Sequence, residues 1–417
     1  TVQNVSGGNA EVTITFIAED GTQSSPADLG AGVTNPFTLV DGASQQVYVP
    51  NVVGLGSGRY AVMISSNAQV VAQAGVAGTG TTRFSGSYIG FSGGDLTTYI
   101  PSVAYNGYGW YSMITVQNVG SGETDVEVTL TCLDGVTVGT LSKSDLPAYA
   151  SVTWALKDVM PAGFTASTEC EGSATVTSTA EDVVAVNNQN RPDTGATNTF
   201  ESAAAGSDTL YVPQLSNNYY GWNSALTILK RGSGNTTVTI DYDDGESDTC
   251  NLTDASPTCK LFMPNYHTAE GRFAATITSS PSVELLAVAG STKPADGWSG
   301  GTSAAFAGSG EVAIPNVSKA YYGWKSAINC QNVGGTATAL NVSYSGYEAQ
   351  AYNTASLASG DSVQIQVFNE TFLPSTGWQG GATINAVAAG GEVVCTVGNS
   401  NPDKALQLQG DWTSQYN

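Results

Sequence analysis

One histidine and six cysteines are the side chains scarce enough here to be weighed singly for chemistry. His267, in MPNYHTAEG, has no second histidine with which to share a metal ion. No nucleophile elbow or Ser-His-Asp order surrounds it, so it reads as a loop residue. The densest acidic run is DYDDGESD, with Asp241, Asp243, Asp244, Glu246 and Asp248. Hard carboxylate oxygens so close together suit Ca²⁺, but the run lacks EF-hand spacing and coincides with a turn that reads EDGT and LDGV elsewhere in the chain. It reads as a solvated turn. No phosphate-cradling Gly-Lys-Ser/Thr loop or dinucleotide fingerprint occurs, and no acidic pair stands out as glycosidase carboxylates. The expectation is a protein that is not an enzyme and needs no cofactor or metal.

The elements that hold these residues come from the rest of the composition. Hydrophobic residues make up 41% of 417, enough for real cores. A formal net charge of −22 with only 13 Lys plus Arg repels phosphate backbones, so no nucleic-acid partner is expected. No run of about 18 apolar residues is present, so no membrane insertion is expected either. A weakly charged, hydroxyl-rich, acidic chain fits an extracellular or cell-surface location.

Internal repeats organise the chain. Tyr108-Gly109-Trp110, Tyr220-Gly221-Trp222 and Tyr322-Gly323-Trp324 recur at roughly 100–110 residues. Each follows a short extended segment containing proline: TTYIPSV, TLYVPQL and EVAIPNV. Downstream the apolar residues alternate: Val12, Ile14 and Phe16; Val126, Val128, Leu130 and Cys132; Val238, Ile240 and Tyr242. Period two with β-branched residues predicts strands with one buried face, and the Asp-Gly pairs at 20–21, 134–135 and 244–245 predict tight turns. The fold class expected is all-β, with four tandem immunoglobulin-like β-sandwiches at 1–91, 94–204, 207–308 and 311–409 and a tail at 410–417.

The cysteines test this alignment. Cys330 falls where the other copies carry Val2, Val116 and Ile228, and Cys395 where they carry Ala72, Ala185 and Ala287. Such a pair is expected to be a disulfide between the two sheets of one sandwich. Cys132–Cys170 and Cys250–Cys259 are the remaining pairs expected inside single units, which suits an oxidising compartment. Sequons at Asn4, Asn235, Asn251, Asn316, Asn341 and Asn369 leave glycosylation open.

The succession of a P-x-V segment, Y-Y-G-W-x-S-x-I, V-Q-N-V-G, an alternating strand and an Asp-Gly turn resembles the tandem immunoglobulin-like repeats of secreted and cell-surface proteins of filamentous bacteria. The resemblance covers nearly the whole chain and implies an extracellular, non-enzymatic, adhesive or structural role. It carries no functional residues over. Two departures stand out: Ile228-Leu229-Lys230 replaces V-Q-N in the third copy, and the first copy lacks the Tyr-Gly-Trp block.

Thr1 aligns with Thr115, Thr227 and Asn329, so Thr1 and Val2 fall inside a unit without its opening segment. At the other end GDWTS matches GDLTT at 94–98, while Tyr416-Asn417 matches Tyr105-Asn106. Either register makes the tail the beginning of a further unit. The expectation is that Gly410, Asp411, Trp412, Thr413, Ser414, Gln415 and Tyr416 add as a strand to the first sandwich of the next copy, with Trp412 as anchor. Head-to-tail donation of this kind builds a homopolymeric filament, pilus-like fibre or sheath. The alternative is a monomeric adhesin or carbohydrate-binding protein that meets surface glycans or other cell-surface proteins through Trp110, Trp222 and Trp324.

Overall fold

The computed structural model describes residues 1–77, 85–295, 298–375, 377–400 and 411–416. Strands take up 59% of it and helix 3%, which makes the fold all-β. The strands fall into four sets around four hydrophobic cores.

The first set is β1 (Val2–Asn4), β2 (Ala10–Ala18), β3 (Gln23–Ser24), β4 (Phe37–Leu39), β5 (Ser44–Gln45), β6 (Tyr60–Ser66), β7 (Val70–Ala77) and β8 (Ser85–Ile89). The second is β9 (Thr97–Gly107), β10 (Trp110–Asn118), β11 (Thr124–Cys132), β12 (Val138–Leu146), β13 (Ser151–Ala155), β14 (Cys170–Ser178), β15 (Val183–Arg191) and β16 (Ala196–Glu201). The third is β17 (Thr209–Asn217), β18 (Asn223–Arg231), β19 (Thr236–Tyr242), β20 (Ser247–Leu252), β21 (Thr258–Phe262), β22 (Gly271–Ser280), β23 (Glu284–Lys293) and β24 (Trp298–Ser303). The fourth is β25 (Glu311–Tyr321), β26 (Trp324–Asn332), β27 (Leu340–Tyr344), β28 (Tyr352–Asn353), β29 (Ser362–Gln366), β30 (Trp378–Ala386), β31 (Val393–Ser400) and β32 (Asp411–Tyr416).

Two antiparallel four-strand layers enclose each core, separate sheets in the first and third sets and joined into one eight-stranded sheet by β9–β10 and β25–β26 pairing in the second and fourth. In the third set they run β20-β19-β22-β17 and β21-β18-β23-β24, and the second and fourth sets repeat both orders. The alternation read from the sequence holds: in β11, Val126, Val128 and Leu130 are buried while Asp125 and Glu127 are exposed. The sheet order is not that of an immunoglobulin domain, where the sheets run A-B-E-D and C-F-G. Here the first strand of each of these sets lies beside the sixth, and the seventh beside the second.

The Tyr-Gly-Trp block is a two-residue hairpin turn. Tyr108 and Gly109 both have positive φ (49° and 79°), as do Tyr220 with Gly221 and Tyr322 with Gly323. Positive φ at both central residues gives the turn whose twist matches the flanking strands, and the glycine supplies it without strain. The tyrosine does not, and the left-handed conformation costs it about 1–2 kcal/mol.

The V-Q-N motif also has a local cause. Asn118 Nδ2 donates to the carbonyls of Gly122 (2.7 Å) and Leu146 (3.2 Å), and Asn332 Nδ2 does the same to Thr336 (3.0 Å) and Leu357 (3.1 Å). In the third set Lys230 takes over. Its buried ammonium donates to the carbonyls of Gly232 (2.8 Å) and Gly234 (2.6 Å) and to Asp254 (2.6 Å). The carbonyl four residues on is bonded in each case, and the ammonium's other donors reach Gly232 and the Asp254 carboxylate. Asn4 fills the role in the first set and is fully buried, so its sequon is closed to a glycan.

Disulfides join Cys132–Cys170, Cys250–Cys259 and Cys330–Cys395. One expectation about them needs correcting. Cys330 and Cys395 are direct partners on neighbouring strands β26 and β31 of a single sheet, not on opposite sheets. Val2 and Ala72, Val116 and Ala185, and Ile228 and Ala287 face each other in the same way. The sequence alignment found a contacting pair, but a branched residue facing alanine fits a cross-strand site as well as a cross-core one. It is Cys250–Cys259 that bridges the two sheets, from β20 to β21.

Burial sets the order of reduction. Cys330 and Cys395 are completely buried, whereas Cys250 and Cys259 are half-exposed. Mild reductant followed by alkylation is expected to label Cys250 and Cys259 first, and Cys330 and Cys395 only on unfolding. Closing a chain separation of 65 residues, the Cys330–Cys395 bond stabilises the fourth set by about 4 kcal/mol in the chain-entropy account. Peptide mapping of the alkylated thiols checks the order.

Candidate functional site: an open strand edge and the seams around it

The strands β9, β17 and β25 each open their set and lie along β14, β22 and β30 respectively. They carry Ile100 and Val103, Leu210 and Val212, and Val312 and Ile314 into the cores, all at most 1% exposed. In the first set β6 occupies the place of β14, β22 and β30, and among the described residues its strand partner is β2 alone. Ladder register makes Ile64 the counterpart of Val176, Ile277 and Ile384. Those three are fully buried, while Ile64 is only half-buried and Val62 beside it is 42% exposed. An apolar edge with unpaired backbone groups is a template for a further strand.

The outer face of this edge is covered. Ile17, Ala61 and Met63 pack into the core cluster of the second set, and a Cβ placed on Gly21 would lie 2.8 Å from Pro147. Similar seams join the other sets in cyclic succession. Arg231 lies 5.1 Å over the ring of Tyr99 and Thr258 donates to Ser173 (3.1 Å) between the second and third. Asn329 donates to Gln214 (2.6 Å) between third and fourth. Gln3 and Ser44 meet Gly381 between fourth and first.

Along the middle run β8, β16, β24 and β32, each against the next, with β32 returning to β8. Ser299 Oγ accepts from Thr197 N and donates to Thr197 O (2.7 Å). Phe200, 1% exposed, fills space left by Gly290 and Gly301: a Cβ on Gly301 would lie 2.6 Å from the Phe200 ring. Glu201 ties three sets together, accepting from Ile89 N (3.0 Å) and Ser303 Oγ (2.8 Å).

Burial pushes the Glu201 carboxyl above its usual range, and the Ser303 and Ile89 hydrogen bonds offset part of that. A carboxyl whose folded pKa is raised binds its proton more tightly in the fold than in the unfolded chain. The fold therefore gains stability as pH falls through the raised pKa and loses it as pH rises. Glu201→Gln removes the charge and keeps a group that pairs with both neighbours. Its melting temperature is expected to exceed that of the parent at pH 8 and to converge with it near pH 4, by differential scanning calorimetry.

The sequence-derived site residues are placed as follows. Val2 is buried in the first core as the first residue of β1, Thr1 just before it donates from its amino group to Gln73 O (2.9 Å), and neither borders β6. The tail differs from expectation. The backbone of Asp411, Trp412, Thr413, Ser414, Gln415 and Tyr416 pairs with β31, from Asp411 opposite Ser400 to Tyr416 opposite Cys395. That is the position of β8, β16 and β24 beside β7, β15 and β23, so within one chain the tail lies along the edge of the fourth set. Short polar matches fit several registers, and a strand of the same chain satisfies the β31 edge without the entropy cost of association. Gly410 and the anchoring side chain assigned to Trp412 lie outside the described residues.

Trp110, Trp222 and Trp324 are half-buried at strand starts, while Tyr108, Tyr220 and Tyr322 are 80%, 78% and 71% exposed. His267 is not a loop residue in solvent: it is 3% exposed and lies beside Asp244 and Glu246. Its lone occurrence hid this, because the partners come from a turn more than 20 residues upstream. No family model matches this chain, and no curated protein does.

Proposed function

We propose that the chain is the structural subunit of an extracellular filament, fibre or sheath. In this reading four sandwich repeats form the subunit, the first lacks its opening strand, and β6 accepts a strand from another copy. The observation that carries it is the half-buried Ile64 where three counterparts are fully buried beneath an opening strand. Three disulfides support an oxidising compartment. Because β32 already pairs with β31, donation by the tail takes the form of exchange: Asp411–Tyr416 leaves its own sheet and adds to β6 of the next copy.

Two peptides test this, one of residues 209–217, an opening strand, and one of residues 410–417. The peptide that matches the donor is expected to bind, to cap assemblies seen by electron microscopy as single subunits, and to protect the β6 amides from exchange. Ile64→Lys, on the open core face, is expected to abolish both effects. Filaments indifferent to both peptides and to Ile64→Lys would show that β6 is not the acceptor.

A second reading, glycan or surface-protein binding, has one observation in its favour. Three exposed tyrosines hold a strained left-handed conformation in which asparagine or glycine would be relaxed. Tyr220→Asn is expected to stabilise the protein by about 1 kcal/mol. Loss of glycan-array binding in the same variant would favour this reading.

A further inference from the structure

The second and third sets build the same corner from different residues. Their turns superimpose by bonding: Val136 N donates to Asp134 Oδ1 (2.9 Å), and Glu246 N to Asp244 Oδ1 (3.2 Å). Their Met-Pro segments match as well, MPAGFT at 160–165 and MPNYHT at 263–268. Asp134, Val136 and Phe164 of the second set thus become Asp244, Glu246 and His267 in the third. Phe164 is a core residue, 5% exposed, packed 5.3 Å from Tyr105. His267 is buried in the same manner, stacked at 3.8 Å on Phe273 and edge-on to Tyr242. Replacing a buried phenyl ring with imidazole introduces two ring nitrogens that need partners.

One nitrogen is accounted for. His267 Nδ1 lies 3.0 Å from Ala269 O, and a carbonyl only accepts, so Nδ1 carries the proton. Nε2 has no hydrogen-bond partner although it is buried. It lies 3.0 Å from Asp244 Oδ2 and 4.0 Å from Glu246 Oε2, and the three ligand atoms sit within 4.8 Å of one another. Ligands held about 2.0–2.2 Å from a common cation stand about 3–3.5 Å apart, so the cluster is close to a preformed cage. The carboxylates are already oriented. Glu246 accepts from Thr268 N (2.9 Å), Ala269 N (3.2 Å) and the Thr268 hydroxyl, and Asp244 spends Oδ1 on the turn and leaves Oδ2 free to ligate.

We propose that Asp244, Glu246 and His267 bind a divalent first-row transition-metal ion of the Zn²⁺ class, with water completing its shell. An imidazole nitrogen alongside two carboxylates suits Zn²⁺ or Mn²⁺ better than Ca²⁺, which prefers a larger cage of oxygens. The site belongs to the third set alone, because the chain has one histidine.

Chelator-treated full-length protein titrated with ZnCl₂ in a calorimeter is expected to bind one ion per chain and to melt higher once loaded. Asp244 is exposed, so Asp244→Asn keeps the turn and removes one ligand. It is expected to weaken binding by about 100-fold, at least the loss seen when a residue that only supports a ligand is changed. His267→Phe installs the residue of the second set and is expected to fold and bind no Zn²⁺ at this site. With Co²⁺ in place of Zn²⁺, the parent is expected to show visible ligand-field bands that Asp244→Asn lacks. Absence of Zn²⁺ heat in the parent, or equal binding by the parent and Asp244→Asn, would overturn the assignment.

Discussion

Phe200→Ala is expected to lower the stability of the whole chain by about 3–5 kcal/mol, the usual cost of emptying a fully buried phenylalanine site. The residue is 1% exposed, and its ring rests against Gly290 and Gly301 of the neighbouring set. The glycines cannot collapse into the vacated space, because they have no side chains to move and their strands are fixed by the β23–β24 ladder. The effect therefore spans two sets, and chemical denaturation followed by tryptophan fluorescence is expected to show their transitions moving together. Val136→Ala, at an 82% exposed position, is the control and is expected to change stability by no more than about 0.5 kcal/mol. A loss below about 1 kcal/mol for Phe200→Ala would mean that the second and third sets do not pack along the middle of the molecule.

Removing residues 411–416 is expected to cost on the order of 3 kcal/mol, since a ladder of six residue pairs along β31 is lost and each backbone hydrogen bond contributes about 1 kcal/mol net. The damage is expected to travel. Buried Thr396 and Asn399 on β31 lose their covering edge, and β24 and β8 lose the strand between them. Hydrogen exchange is the measurement: amides of 393–400 and of 85–89, at opposite ends of the sequence, are expected to accelerate together. Unchanged protection at both would mean that the tail is not part of the folded subunit and is free for export to a neighbour.

The parts of this architecture that were legible in the sequence are those set by period and by turn chemistry. Val126, Val128 and Leu130 alternate because one face of a strand is dry, and that rule acts within a few residues. The Asp-Gly turns and the three cysteine pairs were readable because the copies could be compared position by position. Sheet membership was not. Val116 facing Ala185 looks the same in sequence whether the two sit side by side or across a core, so the Cys330–Cys395 pair is legible but its place on adjacent strands is not. The pairing of the tail with β31 was not legible for a different reason: its short polar matches fit several registers of the repeat. The corner of Asp244, Glu246 and His267 was hidden because a single histidine has no pattern, and only its burial shows that it needs partners.

Arrays of repeats are ordinarily strings, in which each unit touches its two neighbours and the outermost units, with one neighbour each, fray first and need caps. The seams here run first to second, second to third, third to fourth and fourth back to first, so among the described residues each of the four sets has two neighbours. A cut in one connecting segment, such as that at 205–206, leaves every sandwich gripped from both sides. A circuit of this kind yields where its weakest contact lies. At the seam between the first and second sets the apolar packing of Ile17, Ala61 and Met63 would have to separate, beside a β6 strand whose partner among the described residues is β2 alone. Wherever heat or force parts the circuit, a closed loop becomes a string whose two new ends expose faces that had been sealed.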